Sequence, residues 1–108
     1  DIYPDCRSNF ITHMSDAAYT GTYNKVAIIA PYWEDNKTSI IKRGLELGVD
    51  YSKTHTCYNP DVLGHPCGKC GSCVERIEAF VNNNLKDPVY DNSKWEEAVK
   101  YMKKVTKK

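Results

Sequence analysis

Apolar residues recur at helical spacing near the start of the chain and predict an amphipathic helix there. The residues that repeat every three or four positions are Phe10, Ile11, Met14, Ala17 and Ala18. This period is that of one helix face. Ser8 is the expected N-cap, and Gly21 is expected to end the helix.

A short continuous apolar run follows and predicts a β-strand. The run extends from Val26 to Ala30 and ends at Pro31. A strand that is buried on both faces of a parallel sheet has a continuous apolar sequence of this kind. No other segment has this character, so partner strands are expected from outside this chain. The chain also begins at Asp1 without an initiator methionine. We therefore expect it to be the C-terminal part of a longer protein.

Three further helices are predicted after residue 35. Asn36 is the expected N-cap of the next one, and Gly48 takes the C′ position that ends it. Another helix is expected over residues 74–81. The last is expected to begin at a capping box, Ser93 to Glu96.

The order of these elements predicts an α/β fold with a small metal-binding unit appended. We expect residues 1–50 to be the C-terminal portion of the α/β domain. A four-cysteine knuckle and its helix are expected over residues 51–82. Residues 83–108 are expected to form a connector and an amphipathic C-terminal helix.

Four of the five cysteines lie close together in the sequence and predict a zinc site. They are Cys57, Cys67, Cys70 and Cys73, with the spacing C-x9-C-x2-C-x2-C. Zinc prefers four such soft ligands in a tetrahedron. A disulfide across neighbouring residues is strained, and a redox CxxC motif uses only two cysteines. His55 and His65 flank the cluster as alternative ligands, but four thiolates already suffice, so we expect them outside the ligand set.

Charge and length exclude few function classes. The chain has 108 residues, a net charge of +1 and 41% hydrophobic residues, which fits a globular domain without a strongly basic surface. It contains no apolar run of membrane-spanning length and no signal peptide. With reduced cysteines, this predicts a cytoplasmic protein that binds neither membrane nor nucleic acid. The lysines near the C-terminus are expected to be solvated, since cations suit a helix end.

Several motifs occur in the same order in a known family. They are Tyr3-Pro4-Asp5-Cys6-Arg7, Lys37, Gly44-Leu45-Glu46-Leu47-Gly48, Thr56-Cys57-Tyr58 and Pro66-Cys67-Gly68-Lys69-Cys70-Gly71-Ser72-Cys73. From Tyr3 to about Phe80 the chain resembles the 7-cyano-7-deazaguanine synthases, queuosine-pathway enzymes of the PP-loop ATPase group. The resemblance implies a Rossmann-like PP-loop fold (adenine nucleotide alpha hydrolase-like) with a zinc knuckle. It also implies an ATP-dependent ligase that converts 7-carboxy-7-deazaguanine and ammonia to the nitrile.

The resemblance implies site residues as well. It makes the four clustered cysteines ligands of a structural zinc ion, and it places Asp5, Cys6 and Arg7 near the deazapurine substrate. An Asp5–Arg7 pair that only fixes the loop is the alternative. Lys37 can reach a phosphate or can simply face solvent. No catalytic residue is assigned.

The family's phosphate-binding SGGxDS loop does not occur in this chain. ATP, Mg²⁺ and the substrate are therefore expected to need an N-terminal half, and this chain alone is expected to be inactive. A homo-oligomer is also expected. The competing hypothesis is a free-standing zinc module that binds a protein or nucleic acid through its lysine-rich end.

Overall fold

A computed structural model describes residues 3–107 of the chain. They form two compact units, of which the first ends at Asp35 and the second begins at Asn36. The α-helices of the described residues are α1 (Ser8–Gly21), α2 (Lys37–Glu46), α3 (Gly71–Asn82) and α4 (Asn92–Thr106), with short 3-10 turns at Pro4–Cys6 and Tyr51–Lys53. Each of the four predicted helices is therefore present. Over residues 3–107, none is long and apolar enough to cross a membrane.

In the first unit, α1 begins at Ser8, and the residue in the N-cap position is Arg7. The prediction that Ser8 is the N-cap is therefore wrong by one residue. The Arg7 side chain makes no capping hydrogen bond. At the other end, Gly21 is the last helical residue, as predicted, and the Thr22 hydroxyl donates to the carbonyl of Ala18 at 2.7 Å.

The predicted strand does not form within residues 3–107. Residues 25–30 are neither helical nor in a sheet, and Val26 and Ile29 are 53% and 78% exposed. The backbone N–H of Ile28 donates to the hydroxyl of Ser15 at 3.2 Å. A strand requires the backbone of a neighbouring strand, and no other described segment offers one. The described elements are therefore helical, and the expected α/β layering is absent from them.

In the second unit, α3 packs against both α2 and α4. The buried residues on the α2 side are Ile41, Ala79 and Phe80, and those on the α4 side include Cys73, Ile77, Ala98 and Met102. The ring of Tyr51 meets that of Phe80 edge-on, with the centroids 5.4 Å apart. Thus α3 is the central helix of this unit, and it carries one of the clustered cysteines into the core.

Helix α2 has the two ends that the sequence predicts. The side chain of Asn36 accepts a hydrogen bond from the N–H of Ser39 at 2.8 Å. Gly48 has a φ of +79°, and the N–H of Val49 donates to the carbonyl of Gly44 at 2.9 Å. This pattern is a Schellman motif, which needs a residue with positive φ at C′.

Helix α4 begins earlier than the sequence predicts. Its N-cap is Asp91, whose carboxylate accepts the N–H of Lys94 at 2.9 Å. Ser93 lies inside the helix, and its hydroxyl donates to Asp91 at 3.1 Å. The predicted capping box at Ser93 is therefore wrong, because the helix already begins at Asn92 and the N–H of Trp95 donates to the carbonyl of Asp91 at 2.8 Å.

Candidate metal centre

The four clustered cysteines come together in space. Their sulfur atoms all lie within 4.8 Å of one another, and those of Cys57 and Cys70 are 4.0 Å apart. A tetrahedral zinc site with bonds of about 2.3 Å has sulfur–sulfur edges of about 3.8 Å. The arrangement can therefore hold one metal ion.

The start of α3 forms one side of this cluster. Cys70 is the N-cap of α3, and its sulfur accepts the N–H of Cys73 at 3.4 Å. Gly68, in the preceding turn, has a φ of +72°, a conformation that a residue with a Cβ adopts only with strain. The CGKC turn and the first helical turn thus place three sulfur atoms on the same side of the backbone.

Backbone N–H groups point at three of the sulfur atoms. Cys57 accepts from the N–H groups of Asn59 and Cys67, each at 3.2 Å. Cys67 accepts from Lys69 at 3.4 Å and from Cys70 at 3.2 Å. Such donors stabilise thiolates and offset the charge of a four-thiolate metal site.

Cys70, the N-cap of α3, and Cys73, within the helix, lie in different environments. Burial raises the pKa of the Cys70 thiol, but donated hydrogen bonds, beginning with that of the Tyr58 backbone, outweigh it and bring this pKa to about 6. Burial is also the main influence on Cys73, which is 1% exposed, and it raises the pKa of this thiol to about 12. Metal ligation needs both cysteines as thiolates, so a bound cation has to stabilise the thiolate of Cys73 most.

The flanking histidines bind protein groups. A ring nitrogen of His55 lies 2.7 Å from the carbonyl of Cys57. The ring of His65 lies 2.9 Å from the carboxylate of Asp61, which also accepts the N–H groups of Leu63 and His65. The backbone hydrogen bond from His65 is the main cause of the lowered pKa of Asp61. Both histidines therefore stabilise the loops that carry the cysteines.

A buried ion pair between α3 and the segment before α4 holds the elements around the cluster together. The Arg76 guanidinium binds the carboxylate of Asp87 through two hydrogen bonds of 2.5 and 2.9 Å. It also donates to the Thr56 hydroxyl at 3.1 Å and to the Tyr51 carbonyl at 3.0 Å. Sequence reasoning missed both charged residues. The signal was available, because Arg76 is three residues after Cys73 and so shares the buried face of α3.

The residues expected near the substrate are divided between the two units. In the first unit, Asp5 and Cys6 form the exposed 3-10 turn that precedes α1, and Arg7 follows directly. No ion pair between Asp5 and Arg7 occurs in the described part of the chain. Lys37 belongs to the second unit, where its ammonium group is 3.1 Å from the carboxylate of Glu75.

The chain belongs to a family of queuosine biosynthesis proteins. The family model of the queuosine biosynthesis protein QueC matches residues 1–84. A 7-cyano-7-deazaguanine synthase from Psychromonas ingrahamii is 56% identical over 89 residues, which cover 82% of this chain and 39% of the relative. The synthase from Hahella chejuensis is 51% identical over 88 residues, covering 82% and 37%. One of two from Colwellia psychrerythraea is 49% identical over 88 residues, covering 82% and 39%.

These relatives are longer than the chain, which spans about two fifths of the length of the curated relatives it matches. The matching region is their C-terminal part. No solved structure matches the chain. Membership in the family therefore rests on sequence, and the residues from 85 onward lie beyond the family match.

Proposed function

We propose that the protein to which this chain belongs is an ATP-dependent ligase that makes 7-cyano-7-deazaguanine from 7-carboxy-7-deazaguanine and ammonia. The observation that carries this proposal is the 56% identity to a relative named 7-cyano-7-deazaguanine synthase. The four-cysteine cluster at the family's spacing supports it. The whole protein would have an α/β PP-loop fold that binds ATP and Mg²⁺, with this chain on the side of the substrate.

The turn before α1 is the part of this chain that we propose for substrate binding. Asp5, Cys6 and Arg7 are exposed there, so their polar groups are accessible to a ligand. A guanidinium presents two parallel N–H groups, which suit a carboxylate such as that of 7-carboxy-7-deazaguanine. For Lys37 we propose a phosphate contact, for which it would have to leave Glu75, and both partners of that pair are exposed enough to separate.

We propose that the metal is a structural zinc ion. Cys57, Cys67, Cys70 and Cys73 would fill all four positions of a tetrahedral site, which leaves none for water or substrate. Four thiolates on Zn²⁺ carry a formal charge of −2, which the backbone N–H groups at three of the sulfur atoms and the nearby Lys69 would offset. The metal would fix residues 57–70 against the start of α3.

Two further features of the whole protein belong to the proposal. The exposed apolar run at residues 26–30 supports association with further strands, within a longer chain or in a homo-oligomer. Reduced, clustered cysteines support a cytoplasmic location, where thiols remain available for metal.

A chimera tests the activity. The C-terminal region of the Psychromonas ingrahamii relative that matches this chain is replaced by the chain itself, and nitrile formation is measured with 7-carboxy-7-deazaguanine, ammonia and ATP. We expect the chimera to be active and the 108-residue chain alone to be inactive, because the phosphate-binding loop is not in its sequence. Lysine replacement of Arg7 should weaken substrate binding, because lysine lacks the two parallel donors.

The outcome that would contradict the proposal is a folded chimera that binds zinc and ATP but forms no nitrile while the parent relative does. Turnover by the purified chain alone would contradict the expectation that ATP binding requires the N-terminal half. If the chimera forms the nitrile and its Arg7→Lys variant binds the substrate more weakly, this result would support the substrate contact at the turn before α1.

A further inference from the structure

One buried polar group in the second unit lacks a partner. The hydroxyl of Tyr90 is the only buried side-chain nitrogen or oxygen atom of the described residues that makes no hydrogen bond. Tyr90 as a whole is 5% exposed. Leaving a buried hydroxyl unsatisfied costs about 1–3 kcal/mol. A hydrogen-bond acceptor for this hydroxyl would therefore stabilise the second unit.

Tyr90 and Cys73 belong to the same buried cluster. Burial is the main cause of the raised pKa of Tyr90, and the neighbouring sulfur of Cys73 raises it further. The Tyr90 ring packs against that of Trp95, with the centroids 5.7 Å apart, and its backbone N–H donates to the carbonyl of Asp87 at 3.2 Å. Tyr90 is therefore held on both its backbone and its ring, with its hydroxyl at the cluster.

The turn at Gly68 makes room for this approach. A Cβ at residue 68 would lie 3.8 Å from the Tyr90 ring and 3.9 Å from its hydroxyl. The turn at Gly68 is thus in van der Waals contact distance of the Tyr90 ring. Cys57 and Cys67 each accept two backbone N–H···S hydrogen bonds, and Cys70 accepts from Cys73 and Tyr58. At Cys73 the backbone donor is Gly68, in the same turn that approaches Tyr90.

We infer that Tyr90 donates a hydrogen bond to the metal-bound thiolate of Cys73 and so acts as a positioning residue of the metal centre. A thiolate is a much stronger acceptor than a thiol, and hydrogen bonds to charged acceptors are about twice as strong as neutral ones. The hydroxyl gives the most buried sulfur a side-chain donor in addition to the backbone of Gly68. Groups that bind metal ligands in this way tune affinity and ligand basicity.

This inference has consequences for the segment after the family match. Tyr90 precedes α4, and the family match ends at residue 84. The segment that carries Tyr90 would therefore contribute directly to a site whose ligands all lie within the family match. The inference rests on the metal centre that we propose above, but it does not depend on nitrile formation.

The test compares Tyr90→Phe with the parent in the full chain loaded with Co²⁺ alone. Losing a hydrogen bond raises the energy of the thiolate donor orbitals, so the thiolate-to-cobalt charge-transfer band should move to longer wavelength. The affinity for Zn²⁺, measured by competition with a chromophoric chelator, should fall about 10-fold. Without metal, the same substitution should be neutral or stabilising, because it removes an unsatisfied buried hydroxyl.

Tyr101→Phe is the matched control. Tyr101 is on α4 and lines the same cavity of about 540 Å³ as Tyr90, and the substitution removes the same atom. It should leave the cobalt band and the zinc affinity at parental values. A Tyr90→Phe protein with a parental band and parental affinity would overturn the role of Tyr90 and leave the metal centre intact. A parent that binds no metal would overturn both.

A measurement on the unsubstituted chain removes any dependence on variant folding. In protein loaded with ¹¹³Cd²⁺, the Tyr90 hydroxyl proton should exchange slowly with water and should show a scalar coupling to cadmium through the hydrogen bond. A Tyr90 hydroxyl proton that exchanges rapidly, or that is slow but uncoupled to cadmium, would overturn the inference.

Discussion

The guanidinium of Arg76 and the carboxylate of Asp87 form a two-fold hydrogen-bonded ion pair in the interior of the second unit. Asp87 is 0% exposed, and it also accepts the N–H of Val89 at 3.1 Å. The pair joins α3 to the segment that leads into α4. Because Arg76 additionally binds the carbonyl of Tyr51 and the hydroxyl of Thr56, one side chain connects three segments around the cysteine cluster.

Replacing Asp87 by Ala should strongly destabilise the chain. The guanidinium of Arg76 would remain buried without its counterion, which typically costs about 3–5 kcal/mol. Urea unfolding of the zinc-loaded protein measures this loss. Glu75→Ala is the control, because the Lys37–Glu75 pair is solvent-exposed and such pairs contribute less than about 1 kcal/mol. Equal effects of the two substitutions would contradict the importance of burial.

Substituting any one of the four clustered cysteines should abolish tight binding of zinc. The parent should contain one zinc ion per chain, and each Cys→Ser change should reduce both the zinc content and the stability, because binding and folding are coupled in such sites. Acidification should release the metal, since protons compete for the thiolates. Elemental analysis gives the metal content. Cys6→Ser is the control, because Cys6 is exposed and outside the cluster; a folded, reduced parent without metal would refute the site.

The two glycines of the CGKCGSC motif should differ in their tolerance of alanine. Gly68 has a φ of +72°, where a Cβ costs about 1–2 kcal/mol. Gly71 is the first residue of α3, and a Cβ there meets no atom within 4 Å. Thermal unfolding of the zinc-loaded variants should therefore show a loss of stability for Gly68→Ala and none for Gly71→Ala. A reversed order would mean that the knuckle turn differs from the one described.

The N-cap of α4 should make stability depend on pH. The backbone hydrogen bond from Lys94 is the main cause of the lowered pKa of Asp91. A carboxyl whose pKa is depressed by folding contributes stability above its ordinary pKa of 3.8, and the contribution is lost as the pH falls through the folded value. Asp91→Ala should therefore destabilise α4 at neutral pH and have little effect in acid.

The control for this prediction is Ser93→Ala at the residue that the sequence suggested as the cap. It should change stability much less than Asp91→Ala, because the Ser93 hydroxyl donates only to the Asp91 carboxylate. Thermal unfolding monitored by circular dichroism at both pH values measures the two variants. An effect of Asp91→Ala that persists unchanged in acid would rule out a charged cap.

The apolar run at residues 26–30 should respond to association. Val26 and Ile29 are exposed, and the N–H groups of Val26 and Ile28 donate to the hydroxyls of Thr22 and Ser15 rather than to a neighbouring strand. Amides that are bonded only locally at an exposed surface exchange faster than those of a buried sheet. We expect rapid exchange across the run in dilute chain, and protection when the chain associates with itself or with the remainder of a longer protein. Sedimentation at micromolar concentration establishes the state in which exchange is measured. A strictly monomeric species with protected amides at these residues would contradict the expectation.

The sequence predicts those parts of the molecule whose signals are local. The spacing of Cys67, Cys70 and Cys73 specifies a knuckle within seven residues, and Gly48 ends α2 through its own backbone conformation. Each helix has a periodic apolar face, so its presence could be predicted even where its first residue, as in α4, could not. Asp91 and Ser93 are both good N-caps, and the choice between them depends on which carbonyls and N–H groups the preceding turn leaves free.

The parts that the sequence does not predict depend on distant contacts. Nothing in the sequence near Asp87 indicates that it would meet Arg76, eleven residues earlier, in the interior. The Tyr90 hydroxyl likewise acquires its significance only from the cysteine beside it. The run at residues 26–30 has the composition of a strand, but a strand needs a neighbour, and none exists among residues 3–107.

The buried pair of Arg76 and Asp87 also determines where this protein can be cut. The family match ends at residue 84, but a fragment that ended there would leave the guanidinium without a counterion and uncover the apolar face of Ile77 that Ala98 and Met102 now cover. Such a truncation would retain every metal ligand and still aggregate. Helix α3, the segment with Asp87 and helix α4 therefore should unfold together as one cooperative unit. The shortest fragment that folds extends through the last turn of α4.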